Sequence, residues 1–285
     1  MTSPAEGTFT TSDGLQLRTL TWLPSEDVER LGVVVIAHGL GEHIGRYAHV
    51  ARALVAAGFA VRGLDHRGHG RSGGLRGHVD GFGQFTADLS GVVQAFRAEH
   101  PGLPAILYGH SMGGLITLRF HVDHPDHGLA GLILSNPLLA LAFTPPRWKT
   151  AASRLLGRIA PRLRLDSGLD TTKISRDPAA VKTYVDDPLV HGLISTTLYN
   201  EMMGAADAAV ASASAFRLPT LWIIGGGDEI VSPVAGEAFG RSLPSDTTTI
   251  KAWPASYHEP HNDLDQAEVI EAVVQWCTTV ATAAS

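Results

Sequence analysis

The chain has 285 residues, 44% of them hydrophobic and 18% charged, with 31 glycines and 16 prolines. That is apolar material for one large core with many tight turns, which excludes a disordered chain and a disulfide-stapled mini-domain. A formal net charge of -6 argues against phosphate-driven nucleic-acid binding, and a single cysteine, Cys277, excludes an intrachain disulfide. The first 14 residues lack the basic start and apolar run of a signal peptide, and no apolar run is long enough for a bilayer. The expectation is a soluble, cytoplasmic protein.

Taken in order, residues 8–11 and 16–23 read as an antiparallel pair around a turn at Asp13 and Gly14. Gly32–Ala37 is a continuous β-branched run, the pattern of a strand buried on both faces. Tyr47, Val50, Leu54 and Ala57 follow at helical spacing, with Gly58 as the stop. Phe59–Leu64 is the next strand, and Phe85, Leu89, Val92, Val93 and Phe96 form a helical stripe. Residues 105–108 read as a strand, 115–120 as a helix and 129–134 as a strand. Later come strand 221–224, helix 234–241, strand Thr248–Trp253 and a last helix from about Leu264. In that helix Ile270, Val273, Val274 and Cys277 share a face, so Cys277 reads as a small core residue. Strand–helix alternation of this kind predicts an α/β fold: a mostly parallel sheet with helices on both faces. Residues 136–217 break the rhythm, with helical pattern and no clear strand. The expected division is therefore a core of 1–135 and 218–285 with a helical cap, 136–217, inserted over the functional edge of the sheet.

Gly109, His110, Ser111, Met112 and Gly113 carry the pattern G-x-S-x-G. A strand precedes it and a helix follows, the setting in which a serine sits on a sharp turn with its hydroxyl exposed at the sheet edge. The pattern alone is weak, because Gly70, Ser72 and Gly74 match it too, in a polar stretch without flanking strand and helix. Gly68, Gly70 and Gly73 likewise imitate a dinucleotide-binding fingerprint, again without the strand and helix that it needs. Ser111 is thus the candidate nucleophile. It requires a base, and the base requires an orienting carboxylate. Asp228 follows a strand and a glycine turn, and His258 lies in the loop after the next strand, so both project from the edge that carries Ser111. Glu229 and His261 are the competing acid and base. For the oxyanion, the Met112 N–H lies at a helix N-terminus beside the serine, and the Leu40 N–H lies in the glycine-rich loop after the strand Gly32–Ala37.

The blocks His38 to Tyr47 (H-G-L-G-E-H-I-G-R-Y), Asp65 to Ser72 (D-H-R-G-H-G-R-S), G-H-S-M-G around Ser111, and Tyr257-His258 together resemble the monoacylglycerol lipase and lysophospholipase-like branch of the α/β-hydrolases. The resemblance runs from about Leu15 to the last helix. It implies Ser111 as nucleophile, Asp228 as acid, His258 as base, and oxyanion donors on Leu40 and Met112. It also implies an ester of one long acyl chain, a small lipid, as substrate. The cap is the least family-like part, and there the choice of acyl chain is made.

Residues 143–165 contain Arg147, Lys149, Arg154, Arg158, Arg162 and Arg164 and no acid, while Trp148, Ala152, Leu155, Leu156 and Ile159 repeat at helical spacing. Two readings are open: a helix that rests peripherally on an anionic membrane, or one that buries its apolar face against the body. Glu42, His43, Asp65 and Arg67 are expected to form a buried polar brace under the active-site loop. His121, His124 and His127 cluster near a helix end, where structural or surface roles fit better than a metal. No H-E-x-x-H, paired cysteines or G-K-[ST] calls for a metal or nucleotide cofactor. The leading expectation is ester hydrolysis through an acyl-enzyme. A peptidase, a C–C hydrolase or a perhydrolase on the same triad is a second reading, and a ligand-binding receptor on the same fold a third.

Overall fold

Gly32–Ala37 (β3) shows how the sequence builds the sheet. Val33, Val35 and Ala37 enter one apolar core and Val34 and Ile36 another, as the period of two requires of a strand covered on both faces. The computed structural model describes residues 3–213 and 216–284, apart from the side chain of Lys149. It opens with the antiparallel pair Ala5–Thr10 (β1) and Gln16–Trp22 (β2), turning through Gly14 at φ +83°. After β3 come helix Ala48–Ala56 (α1), strand Phe59–Leu64 (β4), helix Gly83–Glu99 (α2), strand Ala105–His110 (β5), helix Met112–Asp123 (α3) and strand Gly131–Ser135 (β6).

A long insertion follows: helix Arg147–Ile159 (α4), strand Arg164–Asp166 (β7), helix Pro178–Asp186 (α5), strand Leu193–Ser195 (β8) and helix Thr196–Ala211 (α6). The chain then returns to the sheet with Thr220–Gly225 (β9), Pro233–Ser242 (α7), Thr248–Trp253 (β10) and Gln266–Ala284 (α8). The strand order is β1-β2-β4-β3-β5-β6-β9-β10, parallel from β4 to β10 and antiparallel at the β1 and β2 edge. The expected α/β-hydrolase architecture is thus observed.

The two faces of the sheet are covered by different helices. Leu89, Val92 and Phe96 of α2, Leu115 and Leu118 of α3 and Phe239 of α7 fill one side. Leu54 of α1 and Val269, Val273 and Cys277 of α8 fill the other, and the Cys277 thiol is fully buried.

One expectation for the insertion is corrected. Residues 136–217 do contain strands: β7 and β8 pair antiparallel, with Leu165 opposite Ile194. At three residues each they are too short to leave a periodic signal. Of the apolar stripe of α4, Ala152 and Leu156 are half-buried and the other three residues face outward. Trp148, Leu155 and Ile159 are 68%, 59% and 70% exposed, whereas Ser153 and Gly157 meet Asn200 of α6. Close approach at Gly157 lets the side of α4 that carries Ser153 pack inward, and Trp148, Leu155 and Ile159 are left outside.

No helix among the described residues is long and apolar enough to cross a membrane.

Candidate active site

Every element of the site hangs from the carboxyl edge of a parallel strand. β5 runs through Gly109 and His110 into Ser111, which adopts φ 54°, ψ -119° before α3 begins. A positive φ is costly for a residue with a Cβ, and here it turns the hydroxyl out of the sheet. The flanking glycines make the turn sterically feasible. A Cβ on Gly113 would lie 2.2 Å from the Ala37 carbonyl oxygen, and one on Gly109 would lie 2.5 Å from the Gly113 oxygen.

The hydroxyl of Ser111 lies 2.9 Å from His258 Nε2, and His258 Nδ1 lies 2.7 Å from Asp228 Oδ2. The other Asp228 oxygen accepts the N–H groups of Ile230 (2.7 Å) and Val231 (2.9 Å), which fixes the carboxylate. All three residues are buried. Burial opposes a charged His258, but the facing Asp228 carboxylate outweighs it and raises the imidazole above its ordinary range. An Nδ1–H donated to Asp228 leaves the Nε2 lone pair aimed at the serine, the arrangement needed for proton abstraction.

The competing acid and base, Glu229 and His261, are placed elsewhere. Glu229 reaches out to Lys173 Nζ at 2.8 Å. His261 is fully buried with both ring nitrogens unpartnered, stacked on Tyr47 at 4.7 Å, and held well below its ordinary pKa by burial. Ser72 is a loop strut, its hydroxyl donating to the Asp65 carbonyl and accepting the Arg18 N–H.

Leu40 and Met112 both line the cavity above Ser111. The Met112 N–H is in the first turn of α3, where the helix itself offers no acceptor. The loop carrying Leu40 presses close to Ser111: a Cβ on Gly39 would sit 3.3 Å from Ser111 Cβ. Gly39 N–H donates to Glu42 Oε1 at 2.6 Å, and Tyr47 Oη donates to the same oxygen at 2.7 Å. Burial works against the Glu42 charge, but Arg46 beside it prevails and holds the carboxyl down at about 2.

The expected brace of Glu42, His43, Asp65 and Arg67 is buried, yet it is not one network. Glu42 serves the Gly39 turn. His43 Nε2 meets Asp187 of the insertion at 2.8 Å. Asp65 accepts the N–H groups of Ile44 and Arg71. Arg67 pairs with Asp88 on α2 and with Asp13. His121 and His127 meet each other through ring nitrogens 2.7 Å apart, next to Phe120 and Phe216.

Two contributors went unread in the sequence. Asn136, at φ 39°, accepts the Gly225 N–H (2.8 Å) and donates to the His258 carbonyl (2.9 Å), so it joins the end of β9 to the loop that carries His258. Its local signal is an asparagine directly after a strand, a residue that tolerates this backbone. Glu259 is the other; it takes the Arg46 guanidinium in a two-pronged pair at 2.7 and 2.6 Å. Glu42, His110 and Glu259 bring possible ligand atoms within 4.8 Å of one another, but Arg46 already supplies the cation between the two carboxylates.

The cavity over Ser111 has a volume of about 380 Å³. Leu138, Leu141, Ile194, Met202, Met203 and Val231 make an apolar wall, and Tyr184, Glu42 and Lys173 add polar groups. The insertion contributes much of this wall and is tied down by backbone bonds. Ile174 O accepts the Glu259 N–H at 2.8 Å, Lys173 O accepts the His258 N–H at 3.4 Å, and Gly41 O accepts the His191 N–H at 2.8 Å.

Residues 29–265 match the family model Hydrolase_4, described as serine aminopeptidase, S33. The chain is 35% identical to a monoacylglycerol lipase of Mycolicibacterium smegmatis over 274 residues, 95% of this chain and 96% of that one. It is 34% identical over 267 residues to an abhydrolase domain-containing protein of Dictyostelium discoideum, of which it spans only 28%. Among solved structures it is similar to the Paleococcus ferrophilus monoacylglycerol lipase, with a TM-score of 0.84 and 34% identity over 93% of this chain and 99% of that one. The chain belongs to the serine aminopeptidase S33 (Hydrolase_4) family and is an ester-hydrolysing serine enzyme of the α/β-hydrolase fold.

Proposed function

We propose that the enzyme hydrolyses monoacylglycerols and similar single-chain esters, with Ser111 as nucleophile, His258 as base and Asp228 as the carboxylate that orients it. The observation that carries this reading is the hydrogen-bonded line Ser111–His258–Asp228 opening into an apolar cavity. Ser111 attacks the ester carbonyl as His258 takes its proton. The Leu40 and Met112 N–H groups hold the tetrahedral oxyanion. His258 then protonates the leaving alcohol, and water repeats the cycle on the acyl-enzyme. Residues 136–217 act as the cap over a core of 1–135 and 218–285. The apolar wall suits one acyl chain, and the relatives named as monoacylglycerol lipases support that substrate class.

The family description raises the alternative of an aminopeptidase. Such an enzyme needs an unpaired carboxylate for the substrate's ammonium group. Glu42 and Glu259 share Arg46, Glu229 pairs with Lys173 and Asp170 is held by its own Thr172, and the mostly apolar wall favours the ester reading.

The cap helix α4 further supports peripheral membrane contact. Its outward stripe of Trp148, Leu155 and Ile159 is flanked by the exposed Arg154 and Arg158. An apolar face rimmed by arginines suits an anionic lipid surface, where lipid substrate resides.

The test is turnover of monoacylglycerols, lysophospholipids, diacylglycerols, short p-nitrophenyl esters and aminoacyl anilides, ranked by kcat/KM, with Ser111→Ala as control. Monoacylglycerols rank first, and Ser111→Ala abolishes turnover while the fold survives. Turnover of the anilides above the esters, or substantial activity in Ser111→Ala, would refute the proposal.

A further inference from the structure

The oxyanion loop and the base loop must act at the same instant, yet they come from distant parts of the chain. Arg46 and Glu259 are 213 residues apart in sequence. Arg46 lies in the single turn Ile44–Tyr47 that follows the oxyanion loop. Its Nη1 donates to Glu42 and to Glu259 Oε1, and its Nη2 donates to Glu259 Oε2. Glu42 in turn accepts the Gly39 N–H, one residue before Leu40. Glu259 directly follows His258, and its own N–H is held by Ile174 of the insertion. The guanidinium lies 4.6 Å from the centre of the Tyr184 ring, on the same insertion. The three charged side chains are almost wholly buried.

We infer that Arg46 is a positioning residue that locks the loop bearing the Leu40 N–H to the loop bearing His258. One guanidinium sets the oxyanion donor and the base in common register. Only a planar fork meets this geometry, because it must present parallel donors to Glu259 and a further hydrogen to Glu42. A buried triad of charges contributes little net stability compared with apolar packing, so its value here is registry. Misplacing a catalytic group by about 1 Å costs roughly 100-fold in rate, the scale on which such a lock acts.

The same residues touch the chemistry through their charge. His258 is faced by Asp228 on the acid loop, Glu42 on the oxyanion loop, Glu259 on its own loop, and the neutral rings of His110 and His261. Lys173 lies beyond Tyr257, 6.0 Å from its ring. Both Glu42 and Glu259 favour the imidazolium. Removing either charge lowers the proton affinity of His258.

The inference rests on the proposed triad, and turnover of p-nitrophenyl butyrate by wild type, abolished in Ser111→Ala, checks that reading separately. The experiment is a double-mutant cycle of Glu42→Gln and Glu259→Gln, with kcat, KM and the acid limb of the pH profile measured for each. Gln at 42 keeps the oxygen that accepts Gly39 N–H while breaking the link to Arg46. Each single variant is expected to lose about tenfold or more in kcat with KM within about twofold, and the double no more than about threefold beyond the worse single, because either cut already frees the loops. The acid limb moves to lower pH in both. Arg46→Lys, which keeps the charge and loses the fork, lies between wild type and Glu259→Gln in kcat with its limb unmoved. Multiplicative losses in the double variant, a rise in KM with kcat retained, or lowered Tm with unchanged kcat and limb would each overturn the inference.

Discussion

Exchanging Leu155 and Ile159 for serine tests the outward stripe of α4. Leu155 is 59% and Ile159 70% exposed, and neither lines the cavity, so the substitutions leave the pocket intact. Burying such a side chain fully is worth about 2 kcal/mol, so the exposed fractions of the two together offer roughly 2–3 kcal/mol to a membrane. At 1.4 kcal/mol per tenfold, the vesicle partition coefficient should fall roughly 30–150-fold. Flotation with vesicles of phosphatidylglycerol and phosphatidylcholine measures this directly. Turnover of a water-soluble p-nitrophenyl ester in the same preparations should be unchanged. The arginines add a separable component: Arg154→Ala with Arg158→Ala should remove about 1 kcal/mol each at low salt, and less as salt screens the surface. If partition is unaffected in the serine variant, or if soluble-ester turnover falls in step with it, the stripe is not a docking face.

The remaining predictions concern the site. The acid limb of kcat/KM should lie above the ordinary histidine value, because His258 must be neutral to act and its folded pKa is raised, so activity is lost as pH falls through it. Asp228→Asn should move that limb to lower pH and reduce kcat by roughly 10³–10⁴-fold through loss of the tautomer and of the charge. Asn136→Ala leaves the buried Gly225 N–H without its acceptor and should cost about 1–3 kcal/mol in urea unfolding, with activity reduced as the base loop loosens. Met203→Trp fills part of the apolar wall, and kcat/KM across an acyl series should shift toward shorter chains; an unaltered chain-length optimum would show that the acyl group lies elsewhere.

The sequence made legible whatever depends on neighbours in the chain. Ser111 stood out from Ser72 because a buried strand abuts it on one side and a helix on the other, and both can be seen within a dozen residues. Asp228 and His258 were distinguishable from Glu229 and His261 by their distance from a strand end and by the family resemblance. Ring stacking on Tyr47 and the reach of Lys173 settle where the competitors go, and these are tertiary contacts. The α4 stripe was visible as a shared face, but periodicity says which residues lie together and not which way they face. That depended on Gly157 admitting Asn200 on the opposite side. The Asn136–Gly225 and Arg46–Glu259 contacts were illegible for the same reason: the partners lie 89 and 213 residues apart.

The backbone bonds from residues 173 and 174 to His258 and Glu259 bear on how relatives of this enzyme could diverge or be recombined. A chimera that exchanged the whole stretch between β6 and β9 would replace a substrate wall and, with it, two of the acceptors that hold the base loop. Specificity and catalytic competence would then change together. An exchange that left the Thr171–Lys173 turn and Ile174 native, and replaced only α4, β7 and α6, would separate the two properties. Chain-length preference could be transplanted at such boundaries without dismantling the machinery beneath it.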